Sequence, residues 1–230
     1  AMQKAVRSVK QAGQALNKAA LTLGDGEIFK EAHARHRQLL NIGFSRPLNV
    51  EGTFVAPNAS LIGKVNVESE SSVWYGAVLR GDKNNIKVGH RSNIQDHVII
   101  NTVEELDTSF PSRVYIGNYT TIGAGSVLTS CFVGSVTRIE PGCVIQAGAD
   151  INHNCIIAAG SVVVANTFIP PQQFWAGNPA KYIRDVTEEE IVEIKEYAEA
   201  YVEATHQHIG EFLEYGTVYQ DAEKQDVIKQ

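Results

Sequence analysis

The sequence predicts an all-β solenoid of short parallel strands, on three observations. Between Val133 and Ile169 an aliphatic residue returns at every sixth position: Val133, Ile139, Ile145, Ile151, Ile157, Val163 and Ile169. Four positions after each of the first six stands something small: Thr137, Cys143, Ala149, Cys155, Ser161 and Thr167. The same step runs earlier through Val55, Leu61, Val67, Val73 and Leu79, then Val88, Ile94 and Ile100, then Ile116, Ile122 and Leu128. A helix repeats near 3.6 residues and a half-buried strand near 2. A period of six therefore means short strands joined by turns, each rung burying one aliphatic side chain, with the small residue at the bend. The rungs make roughly six triangular coils of three.

Taken in order, residues 1–49 form a leader. Val6, Val9, Ala12, Leu16, Ala20 and Leu23 recur at helical spacing among Lys4, Arg7, Lys10 and Lys18, with no acid before Asp25. Such a basic amphipathic helix over 1–24 can lie on an anionic membrane surface or dock on a partner, and it shares its traits with mitochondrial address segments. A second helix is expected over 27–41. Residues 50–172 are the solenoid, interrupted by a polar loop at 80–85 and by a protruding insertion at 102–113. Ile169-Pro170-Pro171 is expected to end the β part. Residues 173–230 are a helix and tail: Thr187 and Glu190 form a capping box, followed by an apolar stripe through Ile191, Ile194, Ala198, Tyr201, Thr205 and Phe212, about 30 Å long. His206 and His208, near its end, are expected to be exposed.

A net charge of −6 over 230 residues argues against a general nucleic-acid binder, which needs a basic face to displace phosphate counterions. No run approaches the ~20 apolar residues of a membrane span. Cys131, Cys143 and Cys155 lie 12 apart, matching no zinc-finger spacing and falling on the corner position of the repeat. They are expected to be packing residues. His33 and His36, three apart on one helix face, lack a third ligand and are expected to be solvated or interface histidines.

Two segments carry a resemblance. Val73-Trp74-Tyr75-Gly76-Ala77-Val78-Leu79-Arg80-Gly81-Asp82-Lys83-Asn84-Asn85-Ile86 and Asn93-Ile94-Gln95-Asp96 resemble corresponding runs of gamma-class carbonic anhydrases, as does Trp175-Ala176-Gly177-Asn178-Pro179-Ala180-Lys181. The last element is shared with hexapeptide acyltransferases; the first two are far more specific. His33-Ala34-Arg35-His36-Arg37 resembles the mitochondrial branch whose members are subunits of respiratory complex I. The resemblance implies a left-handed parallel β-helix with N-terminal helices and a long C-terminal helix, assembled as a trimer. It also implies a zinc ion between subunits on three histidines, whose bound water is acidified to attack CO2. Arg80, Asp82, Gln95 and Asp96 match family positions that brace the interface and site.

The three ligand positions of that family fall on Asn101, Ala124 and Thr129. Asn and Thr are poor zinc ligands and Ala is none, so a zinc hydroxide has no anchor. His97 stands four positions before Asn101, and His90 and His153 fall at turns. The resemblance therefore implies a subunit without catalysis and with no cofactor of its own. Zinc would be held only at interfaces between partner chains. The expected partners are related subunits in a heterotrimer and complex I membrane-arm subunits, on the matrix side of the mitochondrial inner membrane. Two rivals are an active carbonic anhydrase with a rebuilt zinc site and a coenzyme A-dependent hexapeptide acyltransferase, for which His97 and His153 are the available bases.

Overall fold

In the computed structural model the described residues are Ala12 and 36–211, apart from Phe44, Glu51 and 107–109. The expected helix over 1–24 apart from Ala12, residues 27–35 of the second expected helix, and Phe212 and the tail lie outside them. The chain divides into two compact units, residues 37–211 being one. That unit is a parallel β-helix of about seven turns closed by a single helix.

Strands β1 (Leu39–Leu40) and β2 (Leu48–Asn49) lead in, both pairing parallel with β4 (Ser60–Val67). Face A then stacks β3 (Phe54–Val55), β5 (Ser72–Val73), β7 (Asn93–Ile94), β10 (Thr121–Ile122), β13 (Arg138–Ile139), β16 (Ile156–Ile157) and β19 (Gln173–Ala176). Face B stacks the first halves of β4 and β6 (Val78–Val88), then β8 (Ile99–Asn101), β11 (Val127–Thr129), β14 (Val144–Ile145) and β17 (Val162–Val163). Face C stacks the second halves of β4 and β6, then β9 (Val114–Ile116), β12 (Phe132–Val133), β15 (Asp150–Ile151) and β18 (Phe168–Ile169). The second residue of nearly every short strand points in, and the columns Ile94–Ile122–Ile139–Ile157, Leu79–Ile100–Leu128–Ile145 and Val88–Ile116–Val133–Ile151 are fully buried.

The small corner residues are there for a reason beyond size. Ser71, Ser92, Thr137, Cys143 and Cys155 are buried, and each donates to a carbonyl of the following coil: Gly89, Gly117, Asn152, Ala158 and Pro170. A short side chain with a donor thus satisfies a turn carbonyl that the parallel ladder leaves unpaired. The three cysteines are free and buried, and burial pushes the Cys131 thiol up to about 12.

Four expectations need correction. Leu39–Leu40 is not helical but strand β1, because its side chains extend the first coil beside Leu61 and Ile62. Residues 80–85 do not form a separate loop: they belong to the unbroken strand β6. Five steps of β6, Gly81 to Ile86, stand opposite two of β4, Gly63 to Val65, so the extra residues are a bulge. A Cβ on Gly63, whose φ is +75°, would strike the Gly81 carbonyl, so glycine is required where the two strands approach. Nor does the β part stop at Pro171. β19 adds a further rung on β16, with Trp175 opposite Ile157, and β20 (Lys181–Asp185) folds back antiparallel on it. The prolines sit in the turn, where no ladder N–H is needed.

The fourth correction concerns the helix α1 (Glu188–Glu211). Its stripe behaves as expected: Ile191, Ile194, Ala198 and Thr205 are buried and Tyr201 is half-buried. They pack on face A, and Ile156 meets Ile191, Ile194 and Val186 in one cluster. His208, however, is half-buried. Its ring lies 5.0 Å from Trp74, edge-on, and its Nδ1 is 2.9 Å from the Tyr75 hydroxyl. The helix stripe continues one turn further than its aliphatic residues show, and an imidazole serves there.

At the other end the capping box closes as expected: Glu190 accepts the Thr187 N–H at 2.9 Å, and Arg184 grips the same carboxylate at 2.6 and 2.7 Å. Arg184, with the Thr187 amide, holds the Glu190 carboxyl down at about 2. A depressed carboxyl stabilises the fold above its unfolded value and loses that contribution as pH falls. Glu190→Gln is therefore expected to lower the melting temperature at neutral pH and to flatten its fall between about pH 4.5 and 2. Thermal melts of both proteins across that range are the check, and parallel curves would refute the assignment.

Candidate functional site

Position in the coil decides what each singled-out residue can do. Asn101 ends β8 and Thr129 ends β11, directly opposite each other on adjacent coils of face B; Arg80 continues the same column one coil earlier. Each follows an inward-pointing residue, Leu79, Ile100 or Leu128, so all three point outward by the period of 2. Asn101 and Thr129 are half-buried and Arg80 is exposed. Ala124 lies elsewhere, in the turn between faces A and B, two residues after Ile122. Within one chain the fold brings two of the three expected ligand positions together and leaves the third on a corner.

The braces around this corner are in place. Gln95 accepts the Ala124 N–H on Oε1 at 3.1 Å and donates through Nε2 to the Tyr201 hydroxyl at 2.8 Å. It therefore ties the corner to helix α1. Burial, with Tyr197 beside it, pushes the Tyr201 phenol up, so it stays a neutral hydrogen-bonding group. Asp96 accepts the Tyr75 N–H at 3.0 Å and its backbone carbonyl accepts from Gly125. Arg80 donates to Asp82 at 2.7 Å. Burial pushes the Asp82 carboxyl up, but Arg80 and the Lys83 amide outweigh it and hold the group below the ordinary carboxylate value. This pair is on the rim, with Arg80 half-exposed, and contributes little to stability.

The residues present do not fit a zinc ion. The column offers an amide, a hydroxyl and a guanidinium, and the corner offers a methyl group; none supplies the imidazoles or thiolates that a tetrahedral site uses. Among the described residues no three His, Cys, Asp or Glu side chains come together as a metal-binding group. His97 does not take over. It sits on the turn at φ +56°, exposed, with its ring so close over Gly76 that a Cβ there would meet its Nδ1. His90 is tied to Ser69 and His153 to the Ser135 amide, each at its own turn.

One feature escaped the sequence reading. From β6 to β17 the residue before each inward aliphatic on face B is itself aliphatic: Val78, Ile99, Val127, Val144 and Val162 stand in register across five coils and point outward. All are partly exposed, Ile99 at 39%. On face A the same place is held in the middle coils by Ser72, Asn93, Thr121 and Arg138, under the helix, and by Phe54, Ile156 and Phe174 towards the two ends. The doublets Val-Leu, Ile-Ile, Val-Leu, Val-Ile and Val-Val were the available signal. The stripe borders Arg80, Asn101 and Thr129, which stand two residues on along the same strands and point to the same outward side.

No protein-family model matches the chain. Individual proteins do. A protein named gamma carbonic anhydrase 2, mitochondrial, from Arabidopsis thaliana is 37% identical over 203 residues, spanning 88% of this chain and 73% of the relative. Another from the same plant, gamma carbonic anhydrase-like 1, mitochondrial, is 40% identical over 188 residues, covering 82% of this chain and 75% of its own. Among solved structures, a hexapeptide transferase family protein from Anaplasma phagocytophilum superimposes with a TM-score of 0.68 at 32% identity, covering 74% of this chain and 96% of that one. At that identity and over that share of both chains, this chain belongs to the gamma carbonic anhydrase family.

Proposed function

We propose that this protein is a non-catalytic structural subunit: one chain of a heterotrimer with related gamma carbonic anhydrase-like chains. The trimer is held on the matrix side of the mitochondrial inner membrane, at the membrane arm of respiratory complex I. The observation that carries the first part is the loss of all three ligand positions, Asn101, Ala124 and Thr129, inside an otherwise complete frame. Gln95, Asp96, Arg80 and Asp82 keep their hydrogen bonds, so the structural role of the corner survives without the chemistry. Zinc then persists only between partner chains that bring histidines.

The outward aliphatic stripe of face B supports assembly. Five β-branched side chains in one column are what an interface core requires, and a contiguous apolar patch of that kind marks a contact surface. Mitochondrial placement is supported by the names of the relatives, and the basic segment 1–24 would dock the trimer on membrane-arm subunits or anionic headgroups.

The test is co-purification from native mitochondria after gentle solubilisation, read by native gel and mass spectrometry. Co-migration with complex I and with histidine-bearing relatives is expected, with zinc no higher than those relatives account for. A free homotrimer carrying stoichiometric zinc would return the protein to the carbonic anhydrases. Saturable binding of acetyl-coenzyme A would move it to the acyltransferases.

A further inference from the structure

Face C carries an outward column with a gap in it. Its side chains run Lys87, Tyr115, Phe132, Asp150 and Phe168, one per coil and in register. Tyr115 and Phe132 are stacked, their planes 7° apart and their centroids 4.8 Å apart, which is the natural spacing of neighbouring strands. Lys87 Nζ stands 5.8 Å from the centroid of Tyr115 and caps that end. At the next step the column places a short acid where the stack would put a ring. The far face of Phe132 therefore meets no ring, and Phe168, 59% exposed, comes only two strand spacings on, about 9.5 Å from Phe132. One planar ring fits between them at the level of Asp150.

The gap opens into a cavity of about 270 Å³, whose walls include Phe110, Arg113, Phe132, Asp150, Asn152 and His153. Its polar groups have distinct tasks. Asp150 is half-buried, and among the described residues no hydrogen bond or ion pair engages its carboxylate. Burial raises that carboxyl, with His153 pulling it back, so a donor brought to it is stabilising. Arg113 is exposed and has no carboxylate partner among the described residues. His153 accepts the Ser135 N–H on Nδ1 at 2.9 Å. That bond places the ring proton on Nε2, leaving a donor free to face an anion.

We propose that this slot binds a planar heteroaromatic ring carrying an anionic group, of the nucleoside monophosphate class. The ring stacks on the open face of Phe132, its amino group donates to Asp150, and Arg113 with His153 Nε2–H holds the phosphate. The volume lies just below the usual range for small-molecule pockets, which suits a mononucleotide. The site lies on a different face from Asn101 and Thr129 and depends neither on a metal nor on the heterotrimer.

The experiment uses the full chain, in whatever assembly it purifies, titrated with AMP by calorimetry and ligand-observed NMR. Saturable binding is expected. Adenosine and ribose 5-phosphate, each lacking one half of the ligand, should bind about tenfold or more weaker. Phe132→Ala and Arg113→Ala should each weaken AMP by about tenfold. Asp150→Phe completes the aromatic column, fills the slot and should abolish binding while the melting temperature is kept or raised. Arg113→Ala, on an exposed loop side chain, keeps the test decisive if a face C variant folds poorly. Absence of saturable AMP binding overturns the proposal. So does binding that survives both Asp150→Phe and Arg113→Ala, or inorganic phosphate binding as tightly as AMP.

Discussion

Ile99→Asp is expected to separate this chain from its partners and leave its fold intact, whereas Ile100→Asp, one residue on, is expected to unfold it. The two residues are neighbours on β8 and point to opposite sides. Ile100 is fully buried in the face B column between Leu79 and Leu128. A carboxylate there has no partner and no solvent, a cost of several kcal/mol that exceeds what one solenoid rung can offset. Ile99 is 39% exposed in the middle of the outward stripe between Val78 and Val127. In the free chain a charge there is solvated and should alter stability by no more than about 0.5 kcal/mol. In an assembly that buries the stripe it becomes an unpaired charge at an apolar contact, weakening association by at least about a hundredfold. Analytical ultracentrifugation with melting curves reads both effects. An Ile99→Asp protein that keeps its oligomeric state would show that the contact lies on another face.

Restoring Asn101→His, Ala124→His and Thr129→His together is expected to produce stoichiometric zinc binding where the unmodified chain shows none. The column position makes this a fair test. Asn101 and Thr129 already face each other across one strand spacing on the same side of face B, so two imidazoles introduced there converge without any movement of the coil. Ala124 sits at the corner, held by Gln95, and in a neighbouring copy would present the third. Ala124→His alone should gain no measurable metal, because an amide and a hydroxyl do not complete a zinc site. Metal content of the dialysed proteins decides the matter. Stoichiometric zinc in the unmodified chain would refute the non-catalytic reading, and its absence from the triple variant would mean that face B is not the face two chains share.

The coil was legible because it is a local, repeating demand. One aliphatic residue per six, with a small residue four further on, recurs often enough that no single exception hides it, and the capping box at Thr187 and Glu190 needs only four residues. What escaped had a different character. Residues 80–85 look like a loop for their polarity, yet the pairing of Arg80 and Gly81 before the bulge and of Ile86 after it keeps them within strand β6. Leu39–Leu40 continues a helical pattern by sequence and joins a sheet because the first coil has an open edge. His208 reads as a solvated helix end, and it is the aromatic group of Trp74 and Tyr75, more than 130 residues earlier, that encloses it.

The order of the residues by itself determined the coil, its corners and the end helix, because each follows from local periodicity or from side-chain chemistry at one position. Only the tertiary structure decided which outward side chains share a face. Stacking coils at one strand spacing turns residues 17 to 28 apart in the chain into neighbours. That is how five scattered aliphatic residues became one apolar stripe, and how a single aspartate became a gap in a column of rings.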